Sequence, residues 1–179
     1  MFKLISTALL AAAFSITFSG CADKDPERIT KTAECTIDNV EAPSWACGST
    51  TLEGSVTAVG SASSSSRGQG FSRKEAMTDS RFKLAKKIQT FVKNEVNTFA
   101  RSTEVRHVAT ADKVAKQVAK MTYDNSKQMR YWQNSASKEI YVLVGITQNE
   151  INQAIKDAVR PSYQNDNVLK KLDEAFPTY

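Results

Sequence analysis

The stretch "KQMRYWQNSASKEIYVLVGITQNE", Lys127 to Glu150, changes its hydrophobic period twice, and those changes set the fold. "KQMRYWQN", Lys127–Asn134, alternates polar and apolar residues, as a strand with one solvated face does. "EIYVLVGI", Glu139–Ile146, is apolar almost throughout, the composition of a strand buried on both faces. "SAS" between them reads as a hairpin loop. Thr147-Gln148-Asn149-Glu150 then has capping-box spacing, in which a hydroxyl accepts from the amide three residues on and a carboxylate reaches back. It opens a helix with Ile151, Ala154, Ile155 and Ala158 inward, stopped by Pro161.

Working back toward the amino terminus, "LEGSVTAVGSA", Leu52–Ala62, is rich in small and β-branched residues and reads as a strand. Val59-Gly60 within it suggests close backbone approach. "SSSSRGQG" follows as a flexible loop. Ser72-Arg73-Lys74-Glu75 reads as a second capping box, opening a long helix with Leu84, Ile88, Phe91, Val92 and Phe99 on one stripe. Glu95 falls inside that stripe. Another helical pattern, Val114, Ala115, Val118 and Met121, follows a cap at Thr110, and Val168–Phe176 forms a last amphipathic turn that either docks or frays. The expected fold is α+β: a small, mostly antiparallel sheet packed with a long helix, in strand-helix-strand-strand order with a C-terminal helix. No internal repeat is visible.

The long helix raises a question of cover. From Ser72 to Ala100 it would run about 43 Å at 1.5 Å per residue. A domain of about 115 residues has a radius of gyration near 13 Å and a diameter of about 35 Å. Phe91, Val92, Val96 and Phe99 therefore need cover beyond the sheet. Two candidates stand: the second helical pattern of the same chain, or a neighbouring copy, which would make the protein a homo-oligomer.

At the amino terminus, Lys3 precedes an apolar run, Leu4–Phe18. It is too short to span a hydrocarbon core, which takes about 20 residues, and has the form of a secretory signal. The run ends in Phe18-Ser19-Gly20-Cys21, which resembles the lipobox of bacterial lipoproteins. That resemblance implies cleavage after Gly20 and acylation of Cys21, several chains on one residue giving durable attachment. Ala22 after the cysteine, rather than aspartate, implies sorting to the outer membrane. The chain thus divides into a signal peptide (1–20), a lipidated cysteine and flexible tether (21–41), an α+β domain (42–160) and a tail with a short helix (161–179).

Two cysteines remain, Cys35 and Cys47. In an oxidising compartment such a pair favours a disulfide over free thiols. Metal binding is the alternative, but a zinc site needs about four ligands, and the single histidine, His107, is far along the chain.

Lys and Arg outnumber Asp and Glu by 24 to 19. This mild excess suits an anionic membrane surface or cell-wall polymer, or is simply solvated surface; an exported chain argues against nucleic acid. Arg73, Lys74, Lys83, Lys86, Lys87 and Lys93 give the long helix a basic exterior, either solvated or in contact with anionic lipid or a partner. "GQGFSRKE" lacks the lysine and spacing of a phosphate-binding loop and reads as a strand-to-helix connection. His107 has no second histidine or free thiol to work with, and Ser63–Ser66 have no partners at fixed spacing. No catalytic constellation, cofactor or metal site emerges.

"APSW" (Ala42–Trp45), "AVGSA" (Ala58–Ala62), Ala76, Ser80-Arg81, Leu84-Ala85 and "YVLVGI" (Tyr141–Ile146), in that order behind a lipobox, resemble the twenty-kilodalton outer-membrane lipoprotein family. This is the Lpp-twenty type, whose members include FlgP-like flagellar lipoproteins. The resemblance covers about residues 42–160. It implies no enzymatic activity, an outer-membrane location facing the periplasm, and a structural role, in some members as multimeric disks around the flagellum. Cys47 stands where the family often has an aliphatic residue, and the serine loop is long. A binding module for cell-wall polymer or another envelope protein is the alternative function.

Overall fold

The run from Ile140 to Thr147 forms the central strand of the molecule, because its two sets of apolar side chains need cover on both faces. The computed structural model describes residues 35–48, 52–103 and 111–179. Within them the order is β1 (Thr36–Ile37), β2 (Val40–Glu41), a 3-10 turn at Ser44–Cys47, β3 (Ser55–Ala62), α1 (Gln69–Ser102), α2 (Ala111–Asn125), β4 (Lys127–Gln133), β5 (Ile140–Thr147), α3 (Gln148–Val159) and α4 (Asp166–Ala175). The larger sheet has the order β3-β5-β4, antiparallel throughout. The fold is α+β, as the sequence implies.

In register, Val56 faces Ile146, Gly60 faces Val142, and Trp132 faces Tyr141. Ile140, Val142, Val144 and Ile146 point to the helices, while Leu143 and Tyr141 point to the opposite face, where Trp45, Ala46, Val59 and Trp132 gather. The amino-terminal residues thus form a third layer over the sheet.

Helix α1 has 34 residues, about 51 Å of helix. Its buried residues are Ser72, Ala76, Ser80, Leu84, Ile88, Val92, Val96 and Phe99. With 3.6 residues per turn, each step of four rotates the buried side by about 40°, so one flat partner cannot cover the whole row. The small residues come first, where α1 lies against β3. A Cβ at Gly60 would collide with the backbone of Ala76 and Ser80, so only glycine permits this approach. Farther along, Val114, Ala115 and Val118 of α2 join the same core. At the end, Phe99 packs edge-on to Tyr163 (centroids 6.2 Å apart) and against Phe176 (6.0 Å).

This cover corrects the expectation of a self-association patch. Val92 and Val96 are fully buried and Phe99 is 4% exposed, leaving Phe91 of the four with 37% exposure. The intramolecular cover is the one the structure adopts, with the C-terminal segment adding to α2.

The second capping box is also corrected. Helix α1 starts earlier, with Gly68 as its N-cap at φ 97°, and the Phe71 and Ser72 amides both donate to the Gly68 carbonyl. Ser72 therefore lies in the buried row, its hydroxyl without a partner among the described residues. The tether is shorter than expected as well: β1 and β2 pair as a hairpin on residues read as its end. The Thr147 box is present, with Thr147 Oγ1 accepting from the Glu150 amide at 3.2 Å and Glu150 accepting from the Thr147 amide at 3.0 Å.

Helix α3 ends at Val159, and Pro161 falls in the 3-10 turn Arg160–Ser162. The amphipathic turn beyond it docks. Leu172 and Phe176 are buried, and α3 holds the last residues through Asn152 Nδ2 to Pro177 O (2.8 Å), Lys156 Nζ to Thr178 Oγ1 (2.6 Å) and Asn149 to the Tyr179 backbone. Cys21 with the lipobox, His107 and Thr110 lie outside the described residues.

Candidate functional site

Cys35 and Cys47 are joined as a disulfide, with an S–S distance of 2.05 Å and Cα atoms 6.1 Å apart. Asp38 (φ 50°) and Asn39 (φ 60°) supply the left-handed turn between β1 and β2, a conformation these two residue types tolerate. Pro43 caps the 3-10 turn and Gly48, at φ 76°, ends it. The closed loop seats Trp45, 7% exposed, with Leu143 and Val59.

Asn134 pins that layer to the sheet. It is fully buried, donating from Nδ2 to the Ile37 carbonyl (2.9 Å) and accepting at Oδ1 from the Ala136 (2.8 Å) and Ser137 (3.1 Å) amides. One side chain thus closes the β4–β5 hairpin and holds the β1–β2 hairpin. Sequence reading missed it, although an asparagine heading a short turn is a known signal. Beside it, Tyr141 packs on Trp132 at 5.3 Å, and burial, then the neighbouring Glu139, pushes its phenol up to about 12.

The basic exterior of α1 is largely engaged. Lys83 pairs with Asp79 (2.6 Å) and Lys93 with Asp112 (2.9 Å); the hydrogen bond and charge of Lys93 hold that carboxyl below its ordinary range. Lys86 sits 4.5 Å over the ring of Phe82, itself 53% exposed. Arg73 donates to Gln128 and lies 5.1 Å over Tyr131. Such exposed pairs contribute little to stability.

An open concavity of about 530 Å³ follows the outer edge of β3, and its lining includes Trp45, Val59, Leu143 and Phe91 with Lys83 and Lys87. Gly54 accepts from the Gln148 amide, which fixes the alternation: even-numbered residues of β3 bond to β5, and Ser55, Thr57, Val59 and Ser61 turn their backbone groups outward. Asp79 accepts from the Ser61 amide (3.1 Å), and Lys87 donates to the Thr57 carbonyl (3.4 Å). Between them, among the described residues, the Thr57 N–H and both backbone groups of Val59 have no partner.

No group of three or more His, Cys, Asp or Glu among the described residues could hold a metal. No helix among them is long and apolar enough to cross a membrane. A family model described as LPP20 lipoprotein matches residues 43–147, a span running from the start of the 3-10 turn through the end of β5. No curated protein matches the chain.

Proposed function

The chain belongs to the LPP20 lipoprotein family, and from that premise we propose that it is a non-enzymatic structural protein of the outer membrane. Its anchor is the set of acyl chains on Cys21, its domain faces the periplasm, and its role is assembly at the flagellum as a homo-oligomer. The family is not a known enzyme family, and a membrane-anchored envelope location fits it. The observation that carries the reading is the family match lying behind Phe18-Ser19-Gly20-Cys21. Several acyl chains give durable attachment where one gives only marginal binding. Self-assembly through the stripe of α1 is set aside, since that stripe is buried, so copies meet through another surface.

The second reading, a binding module for an envelope protein, is favoured by the open edge of β3. Imaging and motility scoring of cells with and without the gene test the first reading. Loss of motility or of a structure at the flagellar base is expected; unchanged motility and flagellar bases would overturn the flagellar role. Cys21→Ala should release the protein from the membrane fraction. Tight membrane association of that variant would overturn the anchor.

A further inference from the structure

We propose that the outer edge of β3 is a docking groove for an extended, carboxylate-bearing polypeptide strand of another envelope protein, added antiparallel or parallel to the sheet at Thr57–Val59. An unpaired edge is a template for strand addition, and soluble proteins usually cover or charge it. Here the cover is incomplete in a specific way. Asp79 accepts from Ser61, and Lys87 donates to Thr57, so each supplies one bond that a neighbouring strand would supply. Among the described residues, the Thr57 N–H and both backbone groups of Val59 between them are left for an incoming chain.

The groove beside that edge provides what strand addition needs for selectivity. Trp45, Val59, Leu143 and Phe91 form an apolar seat, large enough for one apolar side chain of the incoming strand. Phe91 is 37% exposed, which its neighbours on the buried row are not. Lys83 and Lys87 bring two ammonium groups to the lining, and the one carboxylate engaged there is Asp79 on Lys83. Among the described residues, Lys87 meets only a carbonyl, at 3.4 Å. Successive residues of a strand point to opposite faces, so one peptide can turn an apolar residue toward Trp45 and Leu143 and the carboxylate next to it toward Lys83 and Lys87 on the α1 side. The charge at the groove selects an acidic strand over a basic one.

This deepens the envelope-binding reading and is independent of the anchor: its failure leaves acylation at Cys21 untouched, and loss of the anchor leaves the groove in place. The test uses the full chain in mild detergent with two capped synthetic octapeptides, one alternating valine and glutamate, the other valine and lysine. The glutamate peptide should bind at least tenfold tighter, shift the amide resonances of Thr57 and Val59, and slow their hydrogen exchange at least tenfold. Val59→Pro removes one outward N–H at an edge position where proline is tolerated, and should weaken binding tenfold or more with the melting curve retained. A second variant, Lys83→Glu with Lys87→Glu, should reverse the preference toward the lysine peptide without relying on Val59. Absence of binding by either peptide, or binding that leaves the Thr57 and Val59 amides unchanged, would overturn the proposal. So would slow exchange at those amides before peptide is added: if it depends on protein concentration the edge is filled by a second copy, and if removing residues 22–34 abolishes it, by the chain's own amino-terminal segment.

Discussion

Replacing Gly60 with alanine tests how closely α1 lies on the sheet. The added Cβ would stand 2.7 Å from Ser80 Cα, and nearer still to the Ser80 nitrogen and Ala76 carbonyl, where ordinary contact begins at 3.4 Å. The obstacle is backbone on a helix, so no rotamer change relieves it. α1 would have to retreat by at least 0.7 Å, the difference between 3.4 and 2.7, loosening the row from Ser72 to Leu84. Overpacking of this kind costs about 1–3 kcal/mol, and a rigid obstacle puts Gly60→Ala near about 3 kcal/mol. For a domain of this size that lowers the melting temperature by roughly 6–12 °C. Gly145→Ala is the matched control. Its Cβ would meet the Sδ and Cε of Met129, at 2.6 and 2.8 Å, the mobile end of a flexible side chain, and the Thr57 Cγ2 at 3.1 Å, a side-chain methyl that must give by a few tenths of an ångström, so its cost should stay clearly below that of Gly60→Ala. Thermal unfolding followed by circular dichroism measures both. A Gly60→Ala melt within about 2 °C of wild type, or a larger loss for Gly145→Ala, would refute the close approach of α1 and β3.

Cys35→Ser with Cys47→Ser should destabilise the domain by about 3 kcal/mol on a chain-entropy argument, measured by urea unfolding; an unchanged midpoint would contradict a stabilising role for the disulfide. Phe99→Ala, which removes the ring between Tyr163 and Phe176, should cost about 3–5 kcal/mol and leave the sedimentation coefficient of the folded fraction unchanged; dissociation without loss of stability would restore the interface reading. Thr147→Ala should cost about 1 kcal/mol. The Thr147 backbone and side-chain hydrogen bonds lower the Glu150 pKa below its ordinary 4.5, so the carboxylate contributes stability that is complete above 4.5 and lost as the pH falls through the lower folded value. Glu150→Gln should flatten that acid limb, and an identical acid limb in the variant would remove Glu150 as its source.

The sheet and its flanking helices were legible because each announces itself locally. β5 is apolar on both faces, β4 alternates, and Thr147 with Glu150 marks the start of α3 within four residues. Gly60 was legible as a point of close approach, though not what approaches it. The start of α1 was misread because Ser72 and Glu75 have cap spacing by coincidence, while the true start rests on the positive φ of Gly68, which leaves no periodic trace. The fate of the Phe99 stripe was undecidable from periodicity, since a helix face looks the same whether its own chain or a neighbour covers it. Tyr163 and Phe176, which cover it, lie more than sixty residues away in sequence. The groove at β3 was invisible for a related reason: edge position is a property of strand order, and Trp45, Val59, Phe91 and Leu143 meet only through topology.

The most direct test of the account is mass spectrometry of the amino-terminal peptide from protein purified out of the membrane fraction. The account predicts a chain that begins at Cys21, carrying diacylglycerol on the sulfur and an acyl chain on the amino group. A chain that begins elsewhere, or a Cys21 that carries no lipid, would contradict it.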